Sequence, residues 1–158
     1  MAVRILLADD HEVVRQGLRT ILKARPDWEI VGEAENGQEA IEAVRDLKPD
    51  VVILDITMPV MSGLEATQAI CNLRLGAHVL IFTMHDSRSL VKAVRKAGAH
   101  GYVLKSRAAR DLIKAVEAML GGGTFFGPEN GLDGEEAEKS KRKNLLLCRG
   151  ALYYLCTL

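Results

Sequence analysis

The residues VVILDITMP, at positions 51–59, place one carboxylate directly after a run of four apolar side chains. Residues 51–54 are apolar at every position, which is typical of a central parallel strand buried on both faces. Strand interiors disfavour aspartate, and an unpaired buried charge is costly. Asp55 therefore has two interpretations: a capping residue at a strand end, or a reactive carboxylate at the carboxyl edge of a sheet.

Strand-like runs alternate with amphipathic stretches on both sides of this segment, up to about residue 120. The runs predict five strands, at 3–8, 29–34, 51–54, 78–82 and 101–105. An alternation of this kind predicts an α/β fold, in which helices cover both faces of a parallel sheet. Ligands of such sheets bind beyond the carboxyl ends of the strands, which favours the second interpretation of Asp55.

The composition is that of an ordinary globular protein. The chain has 158 residues, and its 21 Lys and Arg balance its 21 Asp and Glu, so nucleic acid or an anionic membrane is not indicated as the partner. Cys71, Cys148 and Cys156 form no C-x-x-C pair and support neither a disulfide framework nor a zinc site. The start MAVRILLADDHE does not resemble a signal peptide, and no apolar run is long enough to span a bilayer. We therefore expect a cytoplasmic protein with no membrane partner.

Carboxylates end two of the predicted strands. Asp9 and Asp10 end the first strand, and Asp55 ends the third; if these strands are neighbours, the three acids converge and repel one another. A divalent cation and a lysine relieve such repulsion, and an all-oxygen cluster suits Mg²⁺. Lys105 and Thr83, at the ends of strands five and four, are the candidate counter-charge and hydroxyl. Such a set meets the demands of phosphoryl transfer to an aspartate nucleophile.

Four segments carry a resemblance to a known family: LLADDHEVVRQGL (6–18), DVVILDITMPVMSGLEA (50–66), VLIFTMHD (79–86) and GAHGYVLKS (98–106). Together they closely resemble the receiver domain of two-component response regulators, in the NarL/FixJ-type subfamily whose members usually carry a LuxR-like helix-turn-helix. The resemblance covers about residues 3–127. It implies a flavodoxin-like, CheY-like doubly wound sheet of five parallel strands in the order 2-1-3-4-5.

The resemblance also implies roles for the acids. Asp55 resembles the residue that takes a phosphoryl group from a phosphohistidine of a sensor histidine kinase. Asp10 resembles the direct Mg²⁺ ligand, Asp9 a ligand that acts mainly through water, and Thr57 a ligand through its backbone carbonyl. His11, beside the acid pair, is interpreted as a surface residue at the start of a helix.

The remaining roles concern the switch. Lys105 resembles the lysine that contacts the phosphoryl oxygens, and Thr83 the residue that bonds to one of them on activation. Tyr102 resembles the aromatic residue whose ring turns inward as Thr83 moves. One departure from the family pattern is Ser106, which stands where many receivers have a cis-proline; we expect a trans peptide bond after Lys105.

The end of the chain departs further from the pattern. We expect a receiver domain at 1–122, a Gly-rich and charged linker at 123–143, and a short apolar tail at 144–158 with no recognisable domain. The residues after Pro128 show no match to a helix-turn-helix, so DNA is expected as a partner only through a missing output domain. Homodimerisation on phosphorylation is a further hypothesis.

Two other functions are weighed against the phospho-accepting switch. A receiver fold can act as an interaction module that needs no phosphorylation. A haloacid-dehalogenase-type phosphatase also forms an aspartyl-phosphate, but it has a second aspartate two residues after the nucleophile, where this chain has Thr57. The complete set of acids, threonine and lysine favours the switch, a signalling protein whose only catalysis concerns its own phosphorylation.

Overall fold

The computed structural model describes residues 2–126. Five strands form a parallel sheet: β1 (Val3–Ala8), β2 (Trp28–Ala34), β3 (Val51–Leu54), β4 (His78–Thr83) and β5 (Gly101–Leu104). Five helices alternate with them: α1 (Glu12–Leu22), α2 (Gly37–Leu47), α3 (Gly63–Leu73), α4 (Arg88–Ala97) and α5 (Ala108–Leu120).

The strand order across the sheet is β2-β1-β3-β4-β5, and every neighbouring pair is parallel. The doubly wound order that the family resemblance implies is therefore confirmed. β1 and β3 are neighbours, with Ala8 opposite Leu54. The residues that follow these two strands consequently leave the sheet side by side.

Two hydrophobic cores explain why β3 is apolar at consecutive positions. Val52 and Leu54 point into the core under α2, α3 and α4, whereas Val51 and Ile53 point into the core under α1 and α5. All four side chains are almost fully buried. The alternation of faces along a strand thus places a helix layer on each side of the sheet.

Helix ends follow the local sequence signals. The side chains of Asn36, Ser62 and Ser87 accept hydrogen bonds from backbone N–H groups in the first turns of α2, α3 and α4. Of the two candidate caps before α4, Asp86 and Ser87, the serine is the one in place. Gly98 ends α4 at a φ of 102°, in the left-handed region that favours glycine.

The end of the fifth strand differs from the prediction. β5 ends at Leu104, and Lys105 is the first residue of a 3-10 turn, Lys105–Arg107, that leads directly into α5. No peptide bond within residues 2–126 is cis, so the bond between Lys105 and Ser106 is trans, as expected. The turn directs the chain away from the sheet while Lys105 stays at its carboxyl edge.

Residues after α5 return to the sheet. The Phe125 N–H donates to the His100 carbonyl at 3.0 Å, and the Phe125 carbonyl accepts from the Tyr102 N–H at 2.7 Å. Phe126 is buried, with the Arg95 guanidinium 4.0 Å from its ring centre. Both aromatic residues belong to the sequence interval that we predict as linker, and Phe125 pairs with the edge of β5.

The other predictions for the C-terminal part lie outside the described residues. They include linker positions 127–143, the apolar tail 144–158, and both Cys148 and Cys156. Cys71 is a free, half-buried thiol on α3. Within residues 2–126, no helix combines the length and the apolar character that crossing a membrane requires.

Candidate functional site

Three carboxylates lie together where β1 and β3 end. Asp9, Asp10 and Asp55 each offer an oxygen, and with a ring nitrogen of His11 these atoms all lie within 4.8 Å of one another. Asp9 and Asp55 are buried, whereas Asp10 is exposed at the surface. The adjacency of β1 and β3 brings together the three acids that the sequence places at strand ends.

Lys105 supplies the positive charge at this edge. Its Nζ lies 2.8 Å from Asp9 Oδ2 and 3.3 Å from Asp55 Oδ2, so one ammonium group bridges the two buried carboxylates. The side chain crosses the carboxyl edge of the sheet past β4, where Nζ lies 5.9 Å from the centre of the Phe82 ring. Lys105 therefore offsets part of the negative charge of the cluster while remaining close to Asp55.

Burial sets the acidity of Asp55. Its burial raises the pKa of the carboxyl group, the charge and hydrogen bond of Lys105 lower it, and the neighbouring charge of Asp9 raises it again. The net direction is upward. The ionised form of Asp55 is thus held at a cost in free energy, which a further cation at the site would reduce.

The loop after Asp55 is fixed by close backbone packing. The Gly63 N–H donates to the Ile56 carbonyl at 2.8 Å. A Cβ atom on Gly63 would lie 2.0 Å from the Asp55 carbonyl oxygen, so only glycine fits there. Val60 has a φ of 67°, a strained conformation for a β-branched residue. Thr57 lies in this loop with an exposed side chain, and its carbonyl stays a predicted ligand.

The backbone of His85 links Thr83 to Tyr102, and no signal in the sequence identifies this residue. Thr83, at the end of β4, is buried, and its Oγ1 accepts a hydrogen bond from the His85 N–H at 3.2 Å. The buried Tyr102 donates its hydroxyl proton to the His85 carbonyl. Burial raises the pKa of Tyr102, which keeps the phenol protonated as a donor.

His11 is closer to the acids than its interpretation as a surface residue implies. It precedes α1 and its side chain is 65% exposed, yet Nδ1 lies 3.1 Å from both Asp9 Oδ1 and Asp10 Oδ1. Its backbone N–H also donates to Asp9 Oδ1 at 2.9 Å. The only sequence signal for these contacts is the position of His11 directly after the acid pair.

The three carboxylates of the cluster fit Mg²⁺, whereas the His11 ring nitrogen is not a ligand of the type that Mg²⁺ prefers. Mg²⁺ prefers hard oxygen ligands and is typically held by one or two carboxylates together with several waters. Asp10 is exposed, so the cluster has a solvent-facing side with room for such waters. Asp9 and Asp55 lie on the buried side of the cluster. Asp9, Asp10 and Asp55 are the residues whose carboxylates could hold the ion.

The family model of the response regulator receiver domain matches residues 5–117. The chain belongs to the response regulator receiver family. Over 127 residues it is 39% identical to the transcriptional regulatory protein DegU of Brevibacillus brevis, covering 80% of this chain and 54% of that protein. Over 118 residues it is 37% identical to the nitrate/nitrite response regulator protein NarL of Escherichia coli, covering 75% of this chain and 55% of that one. The chain thus spans about half the length of these curated relatives.

Solved structures of receivers have the same fold. A two-component response regulator of the LuxR family from an Aurantimonas species aligns with a TM-score of 0.78 and 37% identity, over 90% of this chain and 99% of that one. The receiver domain of the putative response regulator NarL from Mycobacterium tuberculosis aligns with a TM-score of 0.73 and 33% identity, over 77% and 98%. The resemblance to the NarL and LuxR-type receivers is therefore confirmed.

Proposed function

We propose that this receiver is a phospho-accepting switch in which Asp55 takes a phosphoryl group from a phosphohistidine of a sensor histidine kinase. The observation that carries the proposal is the cluster of Asp9, Asp10 and Asp55 with Lys105 bridging two of its carboxylates. A buried nucleophile beside two further acids and a lysine has the groups that phosphoryl transfer uses.

The chemistry is an in-line displacement at phosphorus. An oxygen of Asp55 forms a bond to phosphorus as the bond to the donor's imidazole nitrogen breaks, and the bonding electron pair returns to that nitrogen. Lys105, 3.3 Å from Asp55, is placed to contact the oxygens of the incoming group. Mg²⁺, when bound, adds positive charge against the same oxygens. Asp10 and Asp55 would hold that ion directly, and Asp9 would act on it mainly through water.

The proposal is tested by intact-mass measurement after incubation with acetyl phosphate, in which acetate replaces imidazole as the leaving group. We expect a gain of one phosphoryl group in Mg²⁺ and none in EDTA. Hydroxylamine, which cleaves acyl phosphates, should reverse the gain. A wild-type chain that gains no mass in Mg²⁺ contradicts the switch and leaves the phosphorylation-independent interaction module as the function.

Switching is proposed to run from Thr83 through His85 to Tyr102. When Thr83 Oγ1 turns toward a phosphoryl group on Asp55, it gives up the hydrogen bond that it accepts from the His85 N–H. The His85 backbone then keeps the hydrogen bond that its carbonyl accepts from the Tyr102 hydroxyl but has lost the one at its N–H. Phosphorylation would thus shift the segment between β4 and α4 between two arrangements.

In Thr83→Ala, we expect the phosphorylation of Asp55 by acetyl phosphate, here called labelling, to be nearly unchanged. The conformational response to phosphorylation should be lost. The substitution removes the hydroxyl group, whereas the acids and Lys105 are unchanged. Amide hydrogen exchange of residues 84–87, with and without beryllofluoride, should change in the wild type and not in this variant. Thr20→Ala, at an exposed position on α1, is the control and should respond like the wild type. An equal response in the Thr83 variant would remove Thr83 from the switch.

The partners follow from the family and stay part of the proposal. DegU is named as a transcriptional regulatory protein, and this chain covers only about half of it, so DNA binding is proposed only for an output domain beyond the matched region. Homodimerisation on phosphorylation and a cytoplasmic location are proposed with it. A dehalogenase-type phosphatase is not favoured, because Thr57 stands where that class has its second aspartate.

A further inference from the structure

Arg15 is a buried cation that the proposed chemistry does not use. It lies at the end of the first turn of α1, and only 6% of its side chain is exposed. Burying a guanidinium without partners is costly, so a buried arginine is expected to be closely hydrogen-bonded. Its partners show what it holds in place.

One of those partners is the backbone of the acid cluster. Arg15 Nη1 donates to the Asp9 carbonyl oxygen at 2.5 Å. This carbonyl belongs to the peptide unit that joins Asp9 to Asp10, so its direction sets how the chain leaves β1. The exposed Asp10 carboxylate lies 3.1 Å from the His11 ring nitrogen, and the direction of this peptide unit is expected to set where that carboxylate faces.

The other partners are carboxylates that neutralise the guanidinium. Arg15 contacts Glu12 on its own helix, and its Nη2 lies 3.5 Å from Glu35 Oε1 and its Nε 3.8 Å from Glu33 Oε1. Glu33 and Glu35 come from β2 and from the segment that follows it. These three glutamates offset the guanidinium charge, so the effect of Arg15 on the acid cluster is expected to come from its hydrogen bond to the Asp9 carbonyl.

Asp9 is also fixed at its other polar groups. Its N–H donates to the Ala34 carbonyl at 3.0 Å, and its carboxylate accepts from the His11 N–H and from Lys105. Within the described part of the chain, the Arg15 contact adds the carbonyl to this set. Arg15 therefore adds a hydrogen bond at the carbonyl of Asp9, the acid whose carboxylate accepts from Lys105.

We propose that Arg15 is a positioning residue for the Mg²⁺ site. It holds the Asp9 carbonyl and so orients Asp9 and Asp10. The inference rests on the proposed function, because it concerns the ion at the same site. Residues behind metal ligands set their orientation, and their loss typically weakens metal affinity by about 10- to 100-fold. Arg15 differs from Lys105 in contacting the backbone of an acid and not its carboxylate.

The test compares Arg15→Met and Arg15→Lys with a matched control, Arg19→Met. Arg19 shares Glu12 and Glu33 with Arg15 and is 29% exposed, but within residues 2–126 it makes no hydrogen bond or ion pair with Asp9. Isothermal titration with Mg²⁺ alone, without a phosphodonor, gives the dissociation constant. We expect a rise of about tenfold for Arg15→Met, a smaller rise for Arg15→Lys, and no change for Arg19→Met.

A second readout separates positioning from folding. The Mg²⁺ concentration for half-maximal labelling of Asp55 should rise in step with the dissociation constant, and labelling at saturating Mg²⁺ should approach that of the wild type. Arg15→Lys keeps the charge and decides the question if Arg15→Met does not fold. Wild-type Mg²⁺ affinity in a folded Arg15 variant would overturn the positioning role alone. Absence of Mg²⁺ binding by the wild type would overturn both this role and the proposed function.

Discussion

Asp55→Asn is expected to prevent phosphorylation by acetyl phosphate. The same substitution is expected to raise the free energy of unfolding at neutral pH. The amide lacks the carboxylate oxygen that attacks phosphorus, so no acyl phosphate forms. Stability should rise because burial raises the pKa of Asp55, and an ionised carboxylate at this position is therefore held at a cost. Asparagine is close in shape and carries no charge.

The pH dependence gives the effect its sign. A group whose pKa is higher in the folded than in the unfolded state contributes stability that is fully present below its unfolded pKa, about 4 for aspartate. That contribution is lost as the pH rises through the folded pKa. The wild type therefore bears the penalty at pH 7, and its difference from Asp55→Asn should shrink toward pH 4.

Thermal unfolding in EDTA between pH 4 and pH 8 measures this difference. One pKa unit is worth about 1.4 kcal/mol, and each kcal/mol moves the midpoint by roughly 4 °C in a domain of this size. Asp46→Asn, at an exposed position on α2, is the control for the loss of one negative charge. A lower midpoint for Asp55→Asn at pH 7, or a difference that does not change with pH, would contradict the expectation.

The parallel sheet and its acidic edge could be predicted because each depends on a strong local signal. Four consecutive apolar residues before Asp55 require burial on both faces, and the two cores on either side of β3 provide it. Asp9, Asp55 and Lys105 meet because they follow strands, and parallel strands end at one edge. These features need only the order of elements along the chain, together with the strand order that the family resemblance supplies.

Contacts made through backbone atoms could not be predicted in this way. The bond from Arg15 to the Asp9 carbonyl, and the two bonds to the His85 backbone, depend on the path of the chain and on side-chain rotamers. The identity of the accepting residue does not affect its carbonyl group, so no residue type marks it. The return of Phe125 to β5 is a contact of the same kind.

Lys105→Met is expected to change two properties of the site in opposite directions. Labelling of Asp55 should slow by about 100-fold, since a charged donor near the developing negative charge is lost. Mg²⁺ affinity should rise, because Lys105 Nζ is the cation that offsets Asp9 and Asp55 at 2.8 Å and 3.3 Å. Without it, the three carboxylates attract a divalent ion more strongly.

Labelling should also become more dependent on pH in this variant. Lys105 lowers the pKa of Asp55, so its removal raises that pKa further and moves the rise of the rate to higher pH. Lys105→Arg keeps the charge and should retain more of the rate, and Lys114→Met, on the exposed side of α5, should match the wild type. A joint loss of labelling and of Mg²⁺ affinity in Lys105→Met would mean that the lysine holds the acid cluster together and does not act on the phosphoryl group. Retention of both would exclude Lys105 from the chemistry, because its ammonium group would then be replaceable by an apolar side chain of similar length.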